Sequence, residues 1–164
     1  MRKTFAPLDD VLIERLFQPA LDVVTNRIGI ARGTAACFCV DLASLSWIVS
    51  RAQGLSDAVI AWDASAAFRD FAFLLLGLIA LTSLRTLFRR AGGGSGNPLR
   101  MTMQPHRAVV LLMLVVRLMQ LQAPGLADAA DLVMLVCAAS ALYLGACAEP
   151  PPIRRGWVSL VPAG

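Results

Sequence analysis

The sequence predicts an all-α membrane protein in which four transmembrane helices form a small bundle, preceded by an N-terminal amphipathic helix. Two observations lead to this fold class. The 164 residues are 57% hydrophobic with a mean hydropathy of +0.67, whereas soluble domains usually contain about 45–50% apolar residues. The apolar residues are also concentrated in four blocks, which polar, Pro-rich or Gly-rich stretches separate. This pattern is typical of a polytopic membrane protein.

Residues 1–27 predict a cytoplasmic amphipathic helix, whose periodic part runs from Leu8 to Thr25. Polar side chains recur every four residues on one face: Asp10, Glu14, Gln18, Asp22 and Asn26. Apolar side chains recur on another face, at Leu8, Leu12, Leu16, Ala20 and Val24, and Ile13, Phe17 and Leu21 widen this apolar stripe. Pro19 predicts a kink. Because a helix on anionic lipid prefers Lys and Arg on its polar face, we expect this helix to pack on its own bundle or on a partner at least as readily as on lipid headgroups. Asp10, Glu14 and Asp22 are expected to face such a partner.

The bundle is predicted to occupy residues 28–148. Its four spans are expected at about 28–50, 68–88, 108–123 and 127–148, with a Gly-rich cytoplasmic linker at 91–107 and a Pro-rich tail at 149–164. A span needs about 20 residues. The third block offers only the stretch between Arg107 and Pro124, about 24 Å of helix. It either crosses with local thinning of the bilayer, or is interfacial, or forms a re-entrant hairpin with the fourth block.

The basic residues predict the orientation. Eleven Arg and Lys lie in the N-terminal segment, the 85–107 region and the tail, while only Arg51 and Arg69 lie in the other two connections. Cytoplasmic loops are enriched in Arg and Lys, so both termini and the linker are expected in the cytoplasm. One Lys against fourteen Arg is typical of a GC-rich bacterial coding sequence. The expected location is therefore the bacterial inner membrane.

Asp41 and Arg117 are the ionisable residues expected deep within spans. A charge at the centre of a bilayer costs about 2.5–3.5 kcal/mol on insertion scales. Counting 1.5 Å per residue from the expected entry points places both residues about 15 Å deep. We therefore expect an Asp41–Arg117 pair, which would offset much of both penalties. The alternatives are that Arg117 extends toward the periplasm and that Asp41 is protonated.

Small residues at four-residue spacing predict two helix-packing faces. Gly29, Gly33 and Cys37 form a row that leads to Asp41, and Cys137, Ala141 and Gly145 form a row in the fourth block. Small residues allow membrane helices to approach closely. Gly77 is expected to act similarly. Two aromatic residues, Trp47 and Tyr143, are interpreted as anchors at span ends.

No chemistry-bearing motif is recognised in the sequence. His106 is the single His and has no Cys, Asp or Glu at ligand spacing, so neither a metal nor another cofactor is expected. The GGGSG run lacks the Lys-Ser/Thr of a phosphate-binding loop, and we expect no enzymatic activity. The net charge of +4 is explained by the basic cytoplasmic loops, so nucleic acid is not an expected partner.

The favoured function is a non-enzymatic accessory or assembly subunit of a membrane protein complex. The amphipathic helix and the tail around Trp157 both carry apolar surface with no predicted partner in the chain. The expected partners are membrane lipids and other integral membrane subunits, or a second copy of the chain. The alternative is a small homo-oligomeric transporter or channel that uses the membrane-embedded Asp41.

Overall fold

The computed structural model describes residues 2–90, 98–120 and 125–147, and the secondary structure of these residues is entirely helical. The all-α prediction is confirmed. The helices are α1 (Arg2–Leu12), a π-helical turn (Ile13–Phe17), α2 (Gln18–Ile28), α3 (Arg32–Ile60), α4 (Ala64–Arg90), α5 (Pro98–Thr102), α6 (Gln104–Met119) and α7 (Leu126–Ala146). The tail at 149–164, most of the Gly-rich run and residues 121–124 lie outside the described residues.

Three helices are long and apolar enough to cross a membrane: α3, α4 and α7. The third expected span corresponds to α6, which has 16 residues, about 24 Å of helix. It begins inside the stretch predicted as linker, because Pro105 in its first turn suits a helix start. Helix α3 continues ten residues beyond the predicted end of the first span at residue 50.

The long helices are arranged side by side in the order α4, α3, α7, α6. Neighbours are antiparallel, and α7 also packs against the N-terminal helix. The proximal end is defined here as the end where α3 begins and α4 ends, and the distal end as the opposite one. Because α7 contacts α3, α6 and the N-terminal helix, it is the most buried of the three apolar helices. Most of the residues of α4 are exposed.

The N-terminal helix contacts the bundle through one side of the predicted apolar stripe, the side that carries Ile13, Phe17 and Leu21. Its buried row is Asp9, Ile13 and Leu21, with Phe17 half-buried between them. Leu8 and Leu16 of the predicted apolar face are more than half exposed. The apolar face was predicted from hydropathy alone. This criterion could not identify Asp9 as a contact residue, because Asp9 is buried through its ion pair with an arginine that is distant in sequence.

A π-helical turn at Ile13–Phe17 lies just before Pro19. The Gln18 N–H donates to the Ile13 carbonyl, five residues back. Pro19 has no N–H and would clash with the Arg15 carbonyl in a regular helix. The wider turn relieves that clash. In the wider turn, residues four apart point in more nearly the same direction than in an α-helix. Asp9, Ile13 and Leu21 therefore all face the bundle.

Gly29 terminates the N-terminal helix in the left-handed region, at φ 75°. Its N–H donates to the Thr25 carbonyl at 2.9 Å, and the Thr25 hydroxyl donates to the Ile30 carbonyl at 3.0 Å. A glycine reaches this conformation without steric cost. The expectation that Gly29 belongs to the packing row of the first span is therefore wrong, since the residue forms the turn before α3.

The other small residues lie where helices approach closely. A Cβ on Gly33 would be 3.3 Å from the Phe88 carbonyl oxygen, and one on Gly145 would be 2.3 Å from the Phe88 ring. A Cβ on Gly77 would be 2.1 Å from Nε1 of Trp47. Trp47 is therefore wedged between α3 and α4 and donates to the Leu74 carbonyl at 3.4 Å. It is not an anchor at a span end, because its ring packs inside the helix pair.

Candidate functional site

Asp41 forms an ion pair with Arg85 of α4, with 2.8 Å between Arg85 Nε and Asp41 Oδ1. The predicted Asp41–Arg117 pair is wrong. Helix α7 lies between α3 and α6, so Asp41 and Arg117 lie on helices that are not neighbours. Asp41 instead faces α4, where the Cys37 thiol also donates to the Arg85 carbonyl at 3.7 Å.

A crevice of about 410 Å³ leads to this pair between α3 and α4. Its walls include Thr34, Cys37 and Phe38 from α3 and Arg85 and Arg89 from α4. The Asp41 side chain keeps 50% of its surface exposed. The pair is therefore neutralised, yet it is accessible from the proximal side of the molecule.

Arg117 belongs to a second group of charges, the distal cluster, which consists of Arg51, Asp70, Arg117, Asp128 and Asp131. Arg51 and Arg117 both bind Asp131 Oδ2 at 3.0 Å. Arg117 also contacts Asp128 at 2.9 Å, and Arg51 contacts Asp70 at 3.7 Å. These contacts connect α3, α4, α6 and α7 at one level.

Two further contacts hold Arg51 and Asp131 in place. The Ser50 hydroxyl donates to Asp131. The Arg51 guanidinium lies over the Trp47 ring, 4.7 Å from its centroid. A charge that has several satisfied partners pays less for leaving water. The sequence interpretation treated Arg51 and Asp131 as loop charges and missed this cluster, because the helices extend past the hydropathy boundaries.

The proximal end contains a fully buried ion pair. Arg107 of α6 binds Asp9 of α1 through two parallel contacts of 2.9 and 2.5 Å, and the two side chains are 0% and 2% exposed. Arg107 also donates to the Arg100 carbonyl at 2.7 Å. Its guanidinium lies 5.5 Å from the centroid of Tyr143, whose other face is stacked on Phe17 at 4.8 Å. Tyr143 is thus buried against the N-terminal helix rather than anchored at a membrane surface.

The acidic face of the N-terminal helix is partly engaged within the chain. Arg100 of α5 binds Asp10 at 2.9 Å and Glu14 at 2.8 Å. These hydrogen bonds to Glu14 and Asp10 raise the pKa of Arg100. Asp22 accepts a hydrogen bond from Gln18 at 3.0 Å. Two of the three predicted partner-facing carboxylates therefore face an arginine of the same protein, and Trp157 lies outside the described residues.

The α3–α4 hairpin projects beyond the distal cluster. Helix α3 continues for nine residues after Arg51, about 13 Å. It ends with the Trp62 N–H donating to the Val59 carbonyl and the Asp63 N–H to the Ala58 carbonyl, at 3.1 and 3.0 Å. This is the Schellman arrangement, in which the left-handed residue is usually glycine.

Trp62 occupies that left-handed position, with φ 55°. A bulky residue there is a genuine outlier, and its side chain is 94% exposed. Asp63 caps α4 by accepting from the N–H groups of Ser65 and Ala66 at 3.0 Å. These bonds, with the one from the Ser65 hydroxyl, lower the pKa of Asp63. The turn is therefore ordered around an exposed indole ring.

The remaining predicted residues belong to the helix interfaces. Ala141 and Gly145 are buried, and Cys137 is half-buried beside the same core. All four cysteines are free thiols. Among the residues that the structure describes, no three His, Cys, Asp or Glu side chains are grouped so that they could hold a metal ion.

Comparison of the chain with known protein families, with characterised proteins and with solved structures finds no match.

Proposed function

We propose that the chain crosses the bacterial inner membrane four times with both termini in the cytoplasm. The spacing of charges supports this topology. Arg32 and Arg51 are 19 residues apart on α3, about 28 Å. Asp70 and Arg90 are 20 residues apart on α4, about 30 Å. Both spacings match the hydrocarbon thickness of about 30 Å.

The short helix α6 fits the same topology as a fourth span. Its Arg117 belongs to the distal cluster, and its Arg107, ten residues earlier and about 15 Å away along the helix, belongs to the buried pair with Asp9. The whole of α6, about 24 Å long, covers most of the hydrocarbon thickness. The proximal end carries the larger share of Arg and is placed in the cytoplasm. The N-terminal helix then lies against α7 in the cytoplasmic half of the protein, with its exposed Leu8 and Leu16 beside lipid.

Within this topology, the proposed function is that of a non-enzymatic accessory or assembly subunit of a membrane protein complex. The observation that carries the proposal is the projecting hairpin with Trp62 at its tip. Ile60 and Phe68 are each 74% exposed beside it. Exposed tryptophans surrounded by apolar residues are characteristic of binding hot spots.

The reach of the hairpin favours a protein over lipid as its ligand. The polar headgroup layer adds only about 5–8 Å on each side of the hydrocarbon. The tip, about 13 Å beyond Arg51, extends past that layer into the periplasm. Strained backbone such as that at Trp62 is retained preferentially at functional positions. The proposed partner is therefore a periplasmic surface of another membrane subunit.

Substitution of Trp62 by glycine tests the proposal. Glycine relieves the left-handed strain, which costs about 1–2 kcal/mol for other residues, so Trp62→Gly is expected to raise the thermal stability of the purified protein. The same change removes the indole ring and should eliminate the stoichiometric partner from mild-detergent preparations of native membranes. Mass spectrometry and thermal unfolding measure the two effects.

The matched control is Met119→Ala, because Met119 at the distal end of α6 is similarly exposed but does not lie on the hairpin. It should leave the partner bound. A foreign subunit that is retained by Trp62→Gly at wild-type stoichiometry contradicts the hairpin as the binding element. A homo-oligomer with no foreign subunit contradicts the accessory function.

The alternative function is a small homo-oligomeric transporter or channel. The observation that favours it is the crevice that leads to Asp41. If the Asp41 carboxylate couples transport to protons, Asp41→Asn should abolish a pH-driven flux in proteoliposomes while the protein folds normally. Loss of stability together with unchanged flux would contradict it.

A further inference from the structure

A second concave surface lies between α4 and α6, with α7 as its floor. This groove has a volume of about 700 Å³. Its walls are contributed by Leu84 and Leu87 on α4 and by Val109 and Val110 on α6, and Ala138 and Leu142 line its floor. It separates α4 and α6, the first and last helices in the order α4, α3, α7, α6.

The groove is apolar along its length. Among the lining residues that the structure describes, the polar side chains are Ser83, whose hydroxyl donates to the Ile79 carbonyl at 2.7 Å, and His106 at the proximal end. No carboxylate is among the described residues that line it. In a membrane-spanning arrangement this surface faces hydrocarbon, and an apolar groove must be filled by chains of matching polarity.

The proximal mouth of the groove is basic. His106 lies in the first turn of α6. Arg90 is seven residues after Ser83 and three residues after Leu87 on α4, so it lies on the same helix face as these two groove residues. Within the described part of the chain, neither residue forms an ion pair with a carboxylate. The sequence between Arg90 and Arg100 contains no charged residue. A cationic mouth above an apolar groove complements an anionic amphiphile.

We propose that this groove binds one anionic phospholipid, with an acyl chain along α7 and the phosphate headgroup at Arg90 and His106. The proposal goes beyond the accessory function and does not depend on it, since it concerns the opposite end of the molecule from the hairpin. The proposal requires that the groove lies within the bilayer. It does not require that a particular end of the molecule is cytoplasmic.

The test compares retention of phosphatidylglycerol and phosphatidylcholine by the full chain in mixed micelles, measured by native mass spectrometry. The wild type is expected to retain phosphatidylglycerol preferentially. A basic residue near a membrane surface contributes about 1 kcal/mol of attraction to anionic lipid. Arg90→Gln should therefore reduce that preference about fivefold.

Arg89→Gln is the matched control. Arg89 is the neighbouring arginine but lines the crevice between α3 and α4, so its removal should leave the lipid preference unchanged. Ser83→Trp and Val109→Trp place an indole ring in the groove from opposite walls. Because both positions are exposed, the fold should persist while lipid is displaced.

Each contrary outcome is distinct. Equal retention of both lipids, or an equal loss of preference in Arg89→Gln and Arg90→Gln, would overturn the assignment of the headgroup to this mouth. Retention of the lipid by both groove-filling variants would place it elsewhere on the protein. A dimer that either groove-filling variant converts to monomer would identify a second copy of the chain as the occupant.

Discussion

The same carboxylate–guanidinium contact occurs in this protein at three degrees of burial. Asp9 and Arg107 are fully enclosed, Asp131 is largely buried between two arginines, and Asp10 remains half exposed beside Arg100. Exposed pairs contribute little to stability, whereas the loss of one partner from a buried pair leaves an uncompensated charge. The three pairs should therefore respond very differently to neutralisation.

Asp9→Asn is expected to destabilise the protein by about 3–5 kcal/mol, because Arg107 keeps its charge in a fully buried site. Asp10→Asn is the control and should cost less than about 1 kcal/mol. Unfolding of both variants in detergent measures the difference. Comparable losses in the two would mean that the Asp9 site is hydrated.

Neutralising both members of the Asp41–Arg85 pair separates its structural role from a transport role. If the pair supports folding, Asp41→Asn and Arg85→Gln each lower stability, and the double variant loses less than the sum of the two. Such coupling is expected only between interacting residues. Arg117→Gln in the Asp41→Asn background is the control and should be additive, since Arg117 contacts Asp128 and Asp131 instead.

For Asp41, the sequence predicted an intramembrane ion pair but not the identity of the partner, which is Arg85. The position was identified because a carboxylate within an apolar block is costly. Its partner was then chosen by depth alone, and depth does not specify which helices are neighbours. The Asp9–Arg107 pair had no signal of this kind, since both residues lie at the polar margins of their blocks.

At the level of the helices, hydropathy predicted positions better than ends. The second and fourth blocks were placed within four residues of the helix limits of α4 and α7. The end of α3 was underestimated because its apolar run stops near Ser50, whereas helical geometry continues through Arg51 and Asp57 to Ile60. Charged residues end a membrane span in a hydropathy plot, but they do not end a helix.

The close approach of α4 and α7 depends on Gly145. Adding a methyl group there would force it against the buried Phe88 ring. Gly145→Ala should therefore lower stability by about 1–3 kcal/mol, the usual cost of overpacking. A smaller side chain in Phe88→Leu should recover part of the loss in the double variant. Thermal unfolding of the two single variants and the double variant measures it, and additive losses would show that the ring and the added methyl group do not meet.

At the scale of the whole molecule, the largest helix contacts follow the order α4, α3, α7, α6, and α4 also packs on α7 through Phe88. The sequence predicted four helical blocks and their alternating loop charges. It could not predict the order α4, α3, α7, α6, because that order depends on which small residues meet which partner: Gly33 lies against the Phe88 carbonyl oxygen, and Gly145 lies against the Phe88 ring. Both the crevice and the groove border α4, the most exposed of the three apolar helices.

Reporter fusions test the proposed topology. A reporter after residue 96 and one at residue 164 should be active as cytoplasmic fusions, because the Arg-rich connections remain inside. One inserted after Ala61, in the turn of the hairpin, should be periplasmic. If the fusion at residue 164 is periplasmic while that at residue 96 is cytoplasmic, α6 does not cross and the protein has three spans.

The central position of α7 has a consequence for how the protein is made. Synthesis proceeds from the N-terminus, so α3 and α4 leave the ribosome long before the helix that packs between α3 and α6. During that interval the α3 face of Ala36, Val40 and Ala43, which is buried in the finished protein, has no α7 to cover it, and Arg51 has no Asp131. The α3–α4 hairpin is therefore in the membrane without its packing partner until α7 has been synthesised. A chain truncated before residue 126 would remain in that state permanently and present these surfaces to the quality-control proteases of the membrane.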